Sequence, residues 1–341
     1  MKAVFSPAHV DHNPEHFVLA GRFAPSPECP DRAHRLIAAI TGAGYEILPP
    51  KGHGLDAIGA VHQSDYLDFL QNGFAMWEKL PNPGPSIIPN THPGRHMARQ
   101  PETIVGRAGY YMADTACPIS PGTWGAAVAS AQVALSAANL VLQGEHEAYA
   151  LCRPPGHHAY GNQAGGFCFL NNVAIATQHM RGRSDRLAIL DVDVHHGNGT
   201  QGIFYDREDI LFCSLHGDPS VFYPYYAGYA DERGAGKGVG YNLNIPLAPN
   251  TGDDAYMLAL GNALNAIKEF APEYLLISLG LETQENDPLG ILSITTDGFH
   301  RMGRAIGAMV QPTLIVQEGG YLCEEIEANL LAFLGGFEEA R

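Results

Sequence analysis

The sequence predicts an α/β fold of three layers, a central and mostly parallel sheet with helices on both faces. Three observations lead there. Short apolar runs at 45–48, 148–151, 186–190, 210–214, 274–279 and 313–316 read as strands without a polar face. Strands of that kind belong to parallel sheets covered on both sides. Helical stretches near 31–43, 64–79, 124–143, 169–180, 253–270, 297–309 and 324–336 alternate with these runs, the pattern of repeated βα units. Glycine-rich polar motifs follow several of the runs, and parallel sheets hold ligands beyond the C-terminal ends of their strands.

Each end of the chain and the spaces between elements agree with this reading. Met1-Lys2-Ala3-Val4-Phe5 reads as a strand and lacks the cleavage region of a signal peptide. No Ser/Gly linker, charge block or repeat divides the 341 residues, so a single domain over 1–341 is expected. No apolar run approaches the ~18 residues that span a membrane. The six cysteines contain no Cys-x-x-Cys pair, which fits a reducing compartment and hence the cytoplasm. A net charge of -16 argues against nucleic acid, which needs a basic face, and is compatible with a small cationic substrate. One segment breaks the alternation: from about 80 to 109 the chain is rich in Pro, Asn, Gly, His and Arg without sustained period. A loop that long in a compact domain is functional or disordered, and Trp77, Ile87, Ile88, Met97 and Ile104 read as apolar anchors for it.

The stretch Asp191-Val192-Asp193-Val194-His195-His196-Gly197-Asn198-Gly199-Thr200 carries the most chemistry. It follows the strand Arg186–Leu190, and side chains two apart in extended chain share a face. Asp193 and His195 therefore stand side by side as two ligands of a divalent metal, with Asp191 one step back to orient them. A second cluster, Arg153-Pro154-Pro155-Gly156-His157-His158, places adjacent imidazoles after a turn. Such a pair is poor core material and suits acid/base work near neutral pH. Near the C-terminus, the strand Thr313–Gln317 runs into Glu318-Gly319-Gly320-Tyr321, where paired glycines permit a sharp turn that brings the tyrosine hydroxyl to a ligand.

These segments, with Gly165 to Asn172 and Ser214-Leu215-His216, resemble the zinc-dependent histone deacetylase family in order and approximate spacing. Ile119-Ser120-Pro121-Gly122-Thr123-Trp124 and the long segment before it resemble more narrowly the bacterial acetylpolyamine amidohydrolase branch. The resemblance covers nearly the whole chain and implies the arginase–deacetylase fold. It implies hydrolysis of an acetylated amine: Zn²⁺ polarises the amide carbonyl and acidifies a water. One of His157 and His158 moves the protons, and Tyr321 donates to the oxyanion. Asp191 and Asn198 would be the partners of the two histidines. The third metal ligand of the family is an Asp in a Leu-Gly-x-Asp setting, whereas this chain has Leu279-Gly280-Leu281-Glu282. Glutamate can ligate zinc, but its longer side chain must be accommodated within the ~0.5 Å that preorganised sites tolerate. Three outcomes are open: Glu282 ligates with adjusted geometry, a water fills the gap, or metal binds weakly. Asp287, before a proline, reads as a support of that loop.

The resemblance also implies a structural K⁺ held by Asp191, Asp193, His195, Ser214 and Leu215, partly through backbone carbonyls. Phe167 and Tyr223 match the aromatic walls of a substrate tunnel, with Tyr223 where Phe is usual. Specificity for polyamines requires acids near the mouth, for which Glu102 and Asp114 are the candidates. An insertion at 80–109 implies a homodimer that narrows the entrance, to which the basic Arg95, His96 and Arg99 are suited. The alternatives are a protein lysine deacetylase and a non-catalytic binding protein whose metal site is impaired by Glu282.

Overall fold

The computed structural model describes residues 1–97 and 99–341. In chain order its elements are β1 (Lys2–Phe5), β2 (His16–Leu19), β3 (Arg22–Pro25), α1 (Pro30–Gly42), β4 (Glu46–Leu48), α2 (Asp56–Gly59), α3 (Ser64–Trp77), α4 (Ile104–Tyr111), α5 (Thr123–Leu142) and β5 (Glu147–Leu151). There follow α6 (Asn172–Met180), β6 (Leu187–Asp191), α7 (Asn198–Phe204), β7 (Ile210–Gly217), β8 (Asn242–Leu247), α8 (Asp253–Phe270), β9 (Tyr274–Leu279), α9 (Thr296–Gly307), β10 (Thr313–Gln317) and α10 (Ile326–Glu339). Eight strands form one sheet in the order β4-β1-β5-β10-β9-β6-β7-β8. Every pairing in it is parallel, so all strand C-termini open on one edge of the sheet.

Strand alternation sorts the core into two layers. In β6, Ala188 and Leu190 pack into the layer under α1, α8, α9 and α10. Their neighbours Leu187 and Ile189 enter the layer under α5 and α6. β10 divides the same way, with Ile315 on one side and Leu314 and Val316 on the other. All of these side chains are buried, and each Leu, Ile or Val among them contributes about 1.5–3 kcal/mol of apolar transfer. A third apolar cluster, including Tyr66, Phe69, Ile87, Ile104 and Tyr111, anchors the 80–109 segment against α5.

Several elements depart from the sequence reading. The segment 80–109 is not without periodicity at its end, since Ile104 starts α4, capped by the Thr103 hydroxyl accepting from Gly106 N. Of its expected anchors, Ile87 and Ile104 are buried, but Met97 is 68% exposed and anchors nothing. The antiparallel pair β2–β3 was not expected. Its two-residue turn has Ala20 and Gly21 at φ 50° and 77°, the geometry of a tight hairpin made without the usual Asn-Gly signal. β8 was hidden because Asn242, Asn244 and Pro246 break its apolar pattern. As the sheet's edge it tolerates the proline, and its asparagines bond inward to Gln201 and Glu232. Finally, α5 is an apolar helix of 20 residues, long enough by composition to cross a membrane, against the expectation that no such run exists. Most of it is buried here, against the sheet, α6 and the 80–109 anchors.

Candidate active site

At the C-terminal edge of the sheet, loops following β5, β6, β9 and β10 converge on a cavity of about 450 Å³. Beyond β6 the chain is locked by its own carboxylates. Asp191 Oδ1 accepts from Asp193 N at 3.1 Å, and Asp193 Oδ1 accepts from His195 N at 2.9 Å. This ladder fixes Asp193 and His195 as neighbours after the strand has ended. His195 lies flat on Phe222, ring centroids 4.8 Å apart. Its Nδ1 stands 3.3 Å from both Asp193 Oδ1 and Glu282 Oε1.

Glu282 thus reaches the position expected of the third ligand. Potential ligand atoms of Asp193, His195 and Glu282 all lie within 4.8 Å of one another, and all three residues are buried. The longer side chain is accommodated at Gly319, where a β-carbon would collide with the Glu282 carboxylate. Glu282 Oε2 is buried without a hydrogen-bond partner, which is costly unless a cation takes it. Two carboxylates and an imidazole with one unsatisfied oxygen fit a divalent metal. Burial, then the nearby charge of Asp193, pushes the Glu282 carboxyl up to about 8. For His195, burial opposes the charged ring, but Asp193 and Glu282 outweigh it and raise the imidazole to about 9.

The two adjacent histidines occupy unlike settings. His157 Nδ1 is 2.9 Å from Asp191 Oδ2, and its Nε2 is 3.7 Å from Asp193 Oδ1. Burial disfavours its cation, yet Asp193 and Asp191 more than compensate, so the ring is held charged well above its ordinary range. His158 Nδ1 is 2.6 Å from Asn198 Oδ1, whose amide nitrogen donates to Tyr160 Oη. Burial, reinforced by the positive charge on His157, drives His158 well below its ordinary range. An amide oxygen only accepts, so the His158 proton sits on Nδ1. The loop carrying both rings is held by Glu318, whose Oε2 accepts from Gly156 N and His157 N at 2.7 and 3.1 Å. Burial pushes that carboxyl up to about 7.

Tyr321 is 3% exposed and lines the cavity with Phe167, Tyr223, His157, His158 and Glu282. Its backbone N donates to Asp287 Oδ2 at 2.6 Å, the supporting role read for that aspartate. Its ring lies 4.8 Å from the Arg32 guanidinium. Arg32 also donates to the carbonyls of Gly320 and Glu318, and is held with Arg153 by the buried carboxylate of Glu28. Arg32 and Glu28 carry no sequence signal for this role, and Glu318, though part of the motif that ends at Tyr321, carries none for holding the histidine loop. Phe17, on the unforeseen hairpin, adds a further wall and packs on Phe167 at 5.6 Å.

The remaining expected residues are placed as follows. Asp191 and Ser214 are register partners on β6 and β7, with Leu215 next along. The Ser214 hydroxyl is engaged by His216 Nδ1 at 2.8 Å. Asp114 lines the cavity. Glu102 lies in the exposed turn before α4 and does not reach the cavity of the single chain.

A parallel sheet of this order, with a buried Asp/His/Glu triad and paired imidazoles at its C-terminal edge, is the architecture of a metal-dependent amide hydrolase. The chain belongs to the histone deacetylase family: residues 26–337 match the histone deacetylase domain. It is 45% identical to an acetylpolyamine amidohydrolase of Burkholderia pseudomallei, with 100% of both chains covered. It is also 45% identical to acetylpolyamine amidohydrolase 1 of Pseudomonas aeruginosa, over 100% of this chain and 99% of that one. The crystal structure of an acetylpolyamine aminohydrolase from Burkholderia pseudomallei matches with TM-score 0.97 at 45% identity, covering 100% of this chain and 99% of that one. The fold is therefore the arginase–deacetylase fold.

Proposed function

We propose that this protein removes acetyl groups from acetylated polyamines by metal-assisted amide hydrolysis. One observation carries the chemistry: the triad Asp193, His195 and Glu282, the two histidines and Tyr321 face one cavity of about 450 Å³. The names of the relatives at 45% identity over the full length support the substrate class. Asp193, His195 and Glu282 would hold Zn²⁺, which supplies Lewis-acid activation of the amide carbonyl and of water. His158, neutral with its lone pair on Nε2, takes the proton from water and returns it to the amine nitrogen, without which an amine is a poor leaving group. His157, held cationic between Asp191 and Asp193, supplies positive charge beside the reacting carbonyl. The Tyr321 hydroxyl donates to the developing oxyanion.

The register of Asp191 against Ser214 supports a K⁺ behind the triad, with Leu215 and the carbonyls of Asp193 and His195 completing its shell. Because Glu102 stands outside the single-chain cavity, it serves the substrate's distal amine only across a homodimer contact through the 80–109 segment. The six unpaired cysteines support a reducing compartment, the cytoplasm. The deciding experiment measures kcat/KM on N-acetylputrescine and on an acetyl-lysine peptide with the zinc-loaded protein. The polyamine is expected to be preferred. A preference for the peptide replaces this reading with lysine deacetylation, and stoichiometric zinc without turnover of either leaves a binding protein.

A further inference from the structure

The carboxylate of Asp114 touches both walls of the slot. Its Oδ2 accepts from the Tyr223 hydroxyl at 2.6 Å and from Gly166 N at 3.0 Å, while its Oδ1 accepts from Ala116 N at 2.8 Å. Gly166 leads directly into Phe167, which forms one wall, and Tyr223 forms the other. The backbone between them has no slack. Gly166 sits at φ 50°, and a β-carbon there would fall 2.4 Å from His158 Cδ2 and 2.9 Å from Tyr223 Oη. The Tyr223 ring meets His158 edge-on, at 5.0 Å and 88°. Segment 111–114 is tied to the same turn, since Ala113 N donates to Ala164 O and Ala164 N to Tyr111 O.

We infer that Asp114 is a positioning residue that sets the width of the slot and the seat of His158 through Tyr223 and Gly166, and is not the counter-ion of the substrate's distal amine. Three donors hold its two oxygens in place, two of them from the walls, so the carboxylate is oriented by the protein without a ligand. A carboxylate suits this bridge because one oxygen can accept from both walls at once, and such charge-assisted bonds are short and strong. Loosening the bridge lets the imidazole drift from the reacting nitrogen, and a displacement near 1 Å costs up to about 10²-fold in rate.

The inference rests on the proposed amide hydrolysis, and a matched substrate pair tests it. N-acetylputrescine carries a distal ammonium, and N-pentylacetamide replaces that group with methyl at almost the same length. Tyr223→Phe breaks the hydroxyl bond and leaves the Asp114 charge in place; Asp114→Ala removes the charge and the bridge together. The bridge predicts that each variant lowers kcat on both substrates by the same factor, between roughly 10- and 100-fold, with the ratio of kcat/KM between substrates kept within about twofold. A selective loss on the cationic substrate in Asp114→Ala, with Tyr223→Phe unaffected, overturns it, as does full activity of both variants. Thermal unfolding of the single and double variants gives a readout independent of turnover. A shared bridge makes the double variant no less stable than the weaker single one, and additive shifts overturn it. If the parent hydrolyses neither amide, the proposed function fails, and the unfolding cycle still decides whether the bridge exists.

Discussion

Two acids in this protein each hold two arginines, and they differ in almost everything else. Glu28 is fully buried, and its oxygens bind Arg32 at 2.7 Å and Arg153 at 3.0 Å. Asp209 lies near the surface with Arg207, at 2.8 and 2.6 Å, and Arg181. In the buried cluster desolvation works against Glu28, but Arg153, His12 and Arg32 outweigh it and keep the carboxyl far below its usual range. At the surface, the Arg207 bonds bring Asp209 down to about 2 despite partial burial. The surface guanidinium groups give their other donors to nearby Gln178, Ser184 and Asp185, away from the site. The buried Arg32, by contrast, passes its remaining donors to the carbonyls of Gly320 and Glu318, and so shapes the turn that carries Tyr321. The same ion chemistry is a local clasp in one place and part of the active site in the other.

Breaking each cluster should expose that difference. The largest effect is expected from Glu28→Gln, which leaves two buried guanidinium groups without their acid. A loss of about 3–5 kcal/mol is typical when one partner of a buried pair is removed, and denaturant unfolding measures it. Turnover should fall as well, because the turn after β10 loses its brace; a destabilised variant with unchanged kcat would confine the network to a structural role. Next comes Tyr321→Phe, which sharpens the contrast by sparing the network. It should keep metal content and melting temperature while kcat drops roughly 10²–10³-fold, as for one lost oxyanion donor. Near-normal turnover removes Tyr321 from the chemistry. The smallest effect belongs to Asp209→Asn, expected to cost up to about 1 kcal/mol at low salt and less at high salt. The Asp209 carboxyl is lowered from 3.8 to about 2. Its contribution is therefore present above pH 3.8 and is lost as pH falls towards 2. Stability curves of parent and variant should run apart at neutral pH and converge over that acid window.

The parts of the site legible in the sequence are those whose chemistry repeats at short spacing. Asp191, Asp193 and His195 alternate, His157 and His158 are adjacent, and Tyr321 follows two glycines. Period and composition alone made those residues stand out, and the buried strands were equally plain because nothing polar interrupts them. What remained hidden depends on contacts between distant segments. Glu28 meets Arg153 across 125 residues and Arg32 meets Gly320 across 288. Strand β8 carries polar side chains whose partners, Gln201 and Glu232, lie elsewhere, so it mimicked a loop. Asp114 looked like an acid available to an amine until its donors came from residues 166 and 223. The apolar composition of α5 is ambiguous for the related reason that a core helix and a membrane span share a signature, and only packing separates them.

The position of β10 bears on how the chain is made. It leaves the ribosome after the other described strands, yet it lies inside the sheet, pairing with β5 through Thr313–Val316 and with β9 through Thr313–Gln317. Until it arrives, the strands β4-β1-β5 and β9-β6-β7-β8 are two separate ribbons, each with an unpaired apolar edge of the kind that recruits other chains. Closure joins residues synthesised far apart, which makes folding slow. The strand that closes the sheet leads, four residues on, to Tyr321. A nascent chain therefore brings the Tyr321 hydroxyl to the cavity in the same event that removes its most adhesive edges.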